Sequence, residues 1–200
     1  NYLTEIKKHL WGGPTVIITG ENITHLICGG GYSCLVKLDF TKCPSLKYLQ
    51  ICINGTLDIS KNIAFEHLEF TNCVLDSLDL SDNVNLRYLN IHSCRLNEID
   101  VSKNTKLEYF NCNSNQLTSL DLSQNTSLES VSCKSNCFTP LAIRDILYSL
   151  HGESPDEEKH IFIGSQYFCY VVNNRIGDIK DRTEITFDLE RITRKGWIIF

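Results

Sequence analysis

Leu86-Arg87-Tyr88-Leu89-Asn90-Ile91-His92-Ser93-Cys94-Arg95-Leu96 decides the fold, because its spacing L-x-x-L-x-L-x-x-N/C-x-L returns at a fixed interval. It runs again from Leu107 to Leu117 and from Leu128 to Phe138, 21 residues later each time. Phe65 to Leu75 lies 21 residues earlier, and Leu46 to Leu57 lies 19 before that with a shortened ending. A period of two puts Leu89 and Ile91 on one side of the chain and Tyr88, Asn90 and His92 on the other. One such unit cannot bury its apolar side alone. It must stack against the next copy, so the spacing predicts a solenoid.

Between these stretches runs a second arm of the form Leu-Asp-Leu-Ser. Its copies are Leu38-Asp39-Phe40-Thr41, Leu57-Asp58-Ile59-Ser60, Leu78-Asp79-Leu80-Ser81, Ile99-Asp100-Val101-Ser102 and Leu120-Asp121-Leu122-Ser123. A turn of 21 residues leaves little room for a helix, so short strands or extended segments are expected there.

The period assigns residues 35–138 to the repeats, 1–34 to an N-terminal cap and 139–200 to a C-terminal cap, within one structural domain. In the first cap, Thr4 opens a short helix through Leu10, stopped at Gly12-Gly13-Pro14. Val16–Thr19 and Ile23–Ile27 then read as strands, before the Gly29-Gly30-Gly31 break. In the second cap, Thr139 as N-cap and Pro140 at the first helical position open a helix that Gly152 closes. Ile143, Ile146, Leu147 and Leu150 form its apolar face. Glu153–Lys159 reads as a loop, followed by strands at His160–Ile163, Tyr167–Val172 and Ile185–Phe187. Asp188 caps a short helix up to Gly196, and Trp197–Phe200 is the last strand.

Two hundred residues, 42% of them hydrophobic, can bury a sizeable core. Net charge is −5 and no basic run exceeds Lys7-Lys8 or Arg194-Lys195, which argues against nucleic acid as partner. No stretch approaches a transmembrane span of about 18 apolar residues. The chain starts at Asn1 and contains no Met, so either a cleaved export signal or a cut made in cloning is expected upstream.

Ten cysteines would suggest disulfides, but the repeat accounts for five of them. Cys73 and Cys94 take the N/C position filled elsewhere by Asn54, Asn115 and Asn136. Cys112 and Cys133 take the core position of Ile51, Phe70 and Ile91, and Cys43 aligns with Asn62, Asn83, Asn104 and Asn125. These five are expected to be buried thiols. Cys28 with Cys34 is the pair to consider for a disulfide; Cys52, Cys137 and Cys169 lie on flanks or exposed positions. There is no C-x-x-C, and neither a metal site nor a cofactor is expected.

Buried amides at Asn54, Asn115 and Asn136 would supply donors and acceptors to backbone groups stranded at the turn. N-x-S/T sequons occur at Asn22, Asn54 and Asn125, and the last two are read as ladder positions that match by coincidence.

The periodic pattern is identified as the leucine-rich repeat signature. The fold class it implies is an α/β repeat solenoid with a parallel concave sheet, short extended convex arms and caps of short helices and strands. The unit L-T-S-L-D-L-S-x-N-T-x-L-E-x-x-x-C-x-S-N, from Leu117 to Asn136, resembles the 21-residue repeats of surface and secreted leucine-rich repeat proteins of Bacteroidetes. Arg194-Lys195-Gly196-Trp197-Ile198 is similar to the K-G-W close of their C-terminal caps. The resemblance implies an exported protein, extracellular, on the cell surface or periplasmic, and it favours the export signal upstream. It transfers no catalytic residues. The chain departs from the pattern in its long 153–183 stretch and its Cys-rich opening segment.

Stacking the outward positions gives three columns. The first is Tyr48, His67, Tyr88, Tyr109 and Ser130; the second is Gln50, Glu69, Asn90, Asn111 and Ser132; the third is Cys52, Thr71, His92, Asn113 and Lys134. Neighbouring strands lie about 4.8 Å apart, so the first column is expected to offer a strip of ring faces beside amides. Aromatic area with directional amides suits an extended peptide or a glycan. The competing reading is cross-strand packing that stabilises the sheet whatever it binds. The ligand-binding candidates are therefore Tyr48, His67, Tyr88, Tyr109, Glu69, Asn90, Asn111, His92 and Asn113.

Asp39, Asp58, Asp79, Asp100 and Asp121 form a second constellation. Like charges about 5 Å apart repel by ~1 kcal/mol in water and more at lower dielectric. Hydrogen bonds from Thr41, Ser60, Ser81, Ser102 and Ser123 would offset this; a divalent cation is the sharper alternative. No H-E-x-x-H, G-x-S-x-G, P-loop or G-x-G-x-x-G occurs, so no enzyme is expected. The expected function is non-catalytic recognition of a protein, peptide or glycan on the concave face. The alternative is a structural or adhesive envelope module with its interface on the caps or the convex face.

Overall fold

The computed structural model describes residues 16–28, 38–151, 159–162 and 197–199. The helix expected from Thr4, Cys34, Gly152, the strands expected at Tyr167–Val172 and Ile185–Phe187, and the helix expected from Asp188 lie outside them.

The chain winds into a solenoid whose spine is one parallel sheet. Five of its strands come from the repeats: β4 (Tyr48–Ile51), β6 (His67–Phe70), β8 (Tyr88–Asn90), β9 (Tyr109–Asn111) and β10 (Ser130–Ser132). They pair in register, so that Tyr48, His67, Tyr88, Tyr109 and Ser130 face one another along the sheet. The sheet runs past the periodic sequence at both ends. β2 (His25–Cys28) pairs with β4, and β11 (Lys159–Phe162) and β12 (Trp197–Ile199) follow β10, giving eight strands. β1 (Val16–Thr19) and β3 (Leu38–Lys42) form a two-stranded sheet of their own. A third small sheet joins β5 (Asn54–Gly55) to β7 (Val74–Leu75).

The alternation read from sequence is the alternation of burial. Leu49, Leu68, Leu89, Phe110 and Val131 are fully buried, while their outward neighbours are half-buried. The second arm turns Ile59, Leu80, Val101 and Leu122 into the same core. Most of that arm is extended without pairing, with β3 its only copy assigned as a strand among the described residues. Each fully buried aliphatic side chain contributes about 1.5–3 kcal/mol, so the core is a continuous apolar column shared by adjacent coils. Cys43, Cys73, Cys94, Cys112 and Cys133 are buried in it, as the repeat predicts. Burial pushes the Cys133 thiol up to about 12 and holds Cys112 well above the ordinary thiol range, so neither is a thiolate at neutral pH.

Two polar ladders hold the turns. Asn115 Nδ2 donates to Ile91 O and Cys112 O, and Asn136 Nδ2 to Cys112 O and Cys133 O, at 2.8–3.0 Å. The second ladder is the more regular. Asn62, Asn83, Asn104 and Asn125 are buried, and each Nδ2 donates to two carbonyls of the preceding coil. Cys43 holds the same position one coil earlier with a single Sγ–H bond to Ile18 O.

Asn54 departs from the sequence reading. It is exposed, and Ile53 is the buried residue whose N–H meets Cys73 Sγ at 3.4 Å. The reason is a missing residue. In the other coils the residue before the ladder position (Asn72, Ser93, Ser114, Ser135) has φ between +55° and +57°. The 19-residue unit has no such residue, so the chain reaches the ladder one position early. Only Asn125 of the two sequons is therefore a ladder amide.

The helix α1 (Pro140–Ser149) follows the last repeat, between β10 and β11 in the chain. Thr139 accepts from Ala142 N, and Ile146, Leu147 and Leu150 are buried with Ile143 packed beside them. Ser149 Oγ accepts from Leu122 N, which fixes the helix against the end of the core and away from the sheet face.

Candidate functional site

The outer face of the sheet carries the three columns, and the first is a stack of rings. Tyr48 and His67 lie 4.2 Å apart between centroids, His67 and Tyr88 3.9 Å, and Tyr88 and Tyr109 4.5 Å. Their interplanar angles are 20°, 3° and 6°. His25 extends the series at 5.5 Å from Tyr48, tilted by 21°. In-register strands set the spacing, and a ring at each step fills it.

This differs from the sequence expectation in one respect. The rings turn their faces to one another and present edges and hydroxyls outward, so the column is not a strip of open faces. Sequence gives the column but not χ2, and rings one strand apart gain most by stacking. His25 was missed as a member because 23 residues separate it from Tyr48, outside the repeat period. Its register partner is nevertheless Tyr48.

Burial within the stack shifts the titrations. It lowers the His67 imidazole, against the opposing pull of the Glu69 carboxylate, so this ring is neutral at pH 7. His67 Nε2 is buried without a hydrogen bond among the described residues, and Glu69 Oε2 stands 3.8 Å away. Tyr88 is pushed up to about 12, first by burial and then by Tyr109 and Glu69. Burial also raises Tyr48.

The second and third columns are tied to one another and to the backbone. Gln50 Oε1 accepts from Tyr48 Oη at 3.2 Å, and Gln50 Nε2 donates to Glu69 Oε1 at 3.3 Å. Asn90 Oδ1 accepts from His92 N, and Asn111 Oδ1 from Asn113 N. Asn113 Oδ1 accepts from Ser132 Oγ and Lys134 N. The structure thus places Tyr48, His67, Tyr88, Tyr109, Glu69, Asn90, Asn111, His92 and Asn113 on one face, in contact by rows. Its groups are donors, acceptors and rigid rings.

A fourth column, unremarked in the sequence reading, borders the rings. Lys47 Nζ meets Glu66 Oε1 at 2.7 Å and Arg87 Nη2 meets Glu108 Oε1 at 2.6 Å; Glu129 follows on the next strand. The Lys47 ammonium, first among several cations, holds Glu66 below the usual carboxylate range.

On the other arm the aspartates are engaged by their own turns. Asp39, Asp58, Asp79, Asp100 and Asp121 each accept from the N–H two residues on, at 2.8–3.0 Å. The Ser60 hydroxyl lowers Asp58, and the backbone N–H groups of Ser81 and Ser102 lower Asp79 and Asp100. Among the described residues no three ligating side chains converge, and no helix is long and apolar enough to cross a membrane.

No family model matches the chain, and no curated protein does. Solved structures match its fold. A leucine-rich repeat protein of Leptospira interrogans aligns over 66% of this chain and 37% of its own, at 24% identity and a TM-score of 0.56. An internalin of Listeria monocytogenes aligns over 90% of this chain and 47% of its own, at 20% identity and a TM-score of 0.57. The chain spans less than half the length of either. The fold is a leucine-rich repeat solenoid.

Proposed function

We propose that this solenoid is a non-catalytic recognition scaffold that binds a protein, peptide or glycan on the outer face of its sheet, outside the cytoplasm. The observation that carries the reading is the five-ring stack His25–Tyr48–His67–Tyr88–Tyr109 along a half-exposed face beside rows of amides. Stacked rings are already fixed by their neighbours, so a partner meets them with little entropy left to lose. Edges and hydroxyls suit a polypeptide better than a sugar, whose apolar patches pack on open ring faces. The fold likeness supports a binding scaffold and says nothing of the partner.

The test is capture from an extracellular or envelope extract, with a glycan array beside it, using wild type, Tyr109→Ala and the Tyr88→Ala/Tyr109→Ala pair. Wild type should capture a defined ligand that both variants lose, with far-UV circular dichroism unchanged. Equal capture by all three would remove the sheet face from consideration.

A further inference from the structure

We propose that Cys52 and Cys73 form a thiol–disulfide exchange pair: a small-molecule disulfide reacts at Cys52, and Cys73 resolves it into a cross-link between two adjacent coils. The site goes beyond the recognition reading and depends on no partner of the sheet face.

The pair is a product of the same shortened unit that displaces Asn54. β4 and β6 run in register as far as Ile51 opposite Phe70, and β5 and β7 resume with Asn54 opposite Val74. Between those points two residues, Cys52 and Ile53, face three, Thr71, Asn72 and Cys73. Ile53 takes the place opposite Cys73, with its N–H 3.4 Å from Cys73 Sγ. Cys52 is therefore one strand across and one residue along from Cys73. With strands about 4.8 Å apart and a rise of about 3.3 Å per residue, their Cα atoms stand roughly 6 Å apart. A disulfide spans about 4.4–6.8 Å between Cα atoms.

The two sulfurs already turn towards one another. Cys52 Sγ donates to Asn72 O at 3.5 Å, the carbonyl just before Cys73. Cys73 Sγ donates to Ile51 O at 3.6 Å, the carbonyl just before Cys52. The thiols are also in hydrogen-bond contact with each other, and both are reduced.

Exposure assigns the roles. Cys52 is half-buried at an outward position and is open to solvent, whereas Cys73 is 1% exposed. A third sulfur prepares Cys73 for the second step. The hydrogen bond it shares with Cys94, ahead of the opposing effect of burial, holds the Cys73 thiol below its ordinary range. In the first step the Cys52 thiolate attacks one sulfur of an external disulfide RSSR, forming Cys52–S–S–R and releasing RS⁻. The Cys73 thiolate then attacks the Cys52 sulfur, forming the Cys52–Cys73 bond and expelling the second RS⁻. The two thiol protons leave on two RSH, so the protein pair loses the two electrons that RSSR gains.

The test is peptide mapping of the full chain after incubation with oxidised glutathione, with remaining thiols alkylated and disulfides kept intact. Trypsin releases Cys52 in residues 48–61 and Cys73 in residues 62–87, each the only cysteine of its peptide. The expected product is these two peptides joined, separated again by dithiothreitol. Cys73→Ser should stop the reaction at its first step, with glutathione held on Cys52 several-fold above the wild-type level. Cys52→Ser, at an outward position that leaves the core untouched, should abolish the cross-link and leave Cys73 unmodified. Cys52 joined instead to Cys28 or Cys34, an unmodified Cys52 in the folded chain, or a cross-link that forms only in urea would each overturn the proposal. So would glutathione on Cys73 in Cys52→Ser at the rate of the wild-type reaction.

Discussion

Asn104 shows how one side chain decides whether a coil can close. Its Nδ2 donates to Leu80 O and Asn83 O at 3.1 and 2.9 Å, giving each of these carbonyls of the previous coil a second hydrogen bond beside the one it takes from a backbone N–H. Its own Oδ1, like those of Asn62, Asn83 and Asn125, is buried without a donor among the described residues. The amide is therefore kept for what it donates. Asn104→Ala should lower stability by about 1–3 kcal/mol in urea unfolding, since it removes two hydrogen bonds worth about 0.5–1.5 kcal/mol each. Asn104→Cys should lose visibly less, because Cys43 holds the equivalent position with one thiol bond. His67 offers a pH test. Its folded pKa lies below its unfolded value of 6.5, so the unfolded chain binds the extra proton. Stability from this ring is complete above about pH 7 and is lost as pH falls through 6.5 towards the folded pKa. The melting temperature should drop over that window, and His67→Phe, which keeps the stack, should flatten the fall.

At the scale of the element, position within the stack sets the cost of losing a ring. Among the described residues Tyr88 stacks on two rings and Tyr109 on one. At about 0.5–1.5 kcal/mol per aromatic pair, Tyr88→Ala should cost roughly twice what Tyr109→Ala does, read from denaturant midpoints at constant slope. Equal costs would mean that stacking contributes nothing beyond area. The same element marks how far sequence can be read. Alternation and period gave Tyr88 beside Tyr109 and Leu89 beneath them, because both follow from backbone repeat alone. Ring orientation follows from side-chain torsions, which no spacing encodes, so open faces were expected where edges are found. Asn54 was misplaced because one deleted residue shifts the chain locally while the leucines on either side keep their pattern. His25 carried no periodic signal to enlist it; register did that.

At the scale of the molecule, each coil bonds chiefly to its neighbours, and the eight strands follow sequence order along the sheet. Stability should then grow with coil number, as in any quasi-one-dimensional stack. Duplicating residues 86–106 in place, a whole unit from Leu86 to Lys106, adds one copy of every ladder position. The product should fold, gain a strand between β8 and β9 by hydrogen exchange, and unfold at a higher urea concentration than the parent. Aggregation or a lower midpoint would mean that the two ends are matched to a fixed coil number.

The second asparagine ladder also has a direction. Asn62, Asn83, Asn104 and Asn125 each reach back to the coil before and never forward with that amide. Under a tensile load the four amides act as a series of latches, each securing one turn to the turn before it. Pulled from its C-terminal side, the stack would open latch by latch in quanta of 21 residues, about 70 Å of extended chain per event. The molecule is a strap with evenly spaced catches, yielding by increments where a globular domain would give way at once.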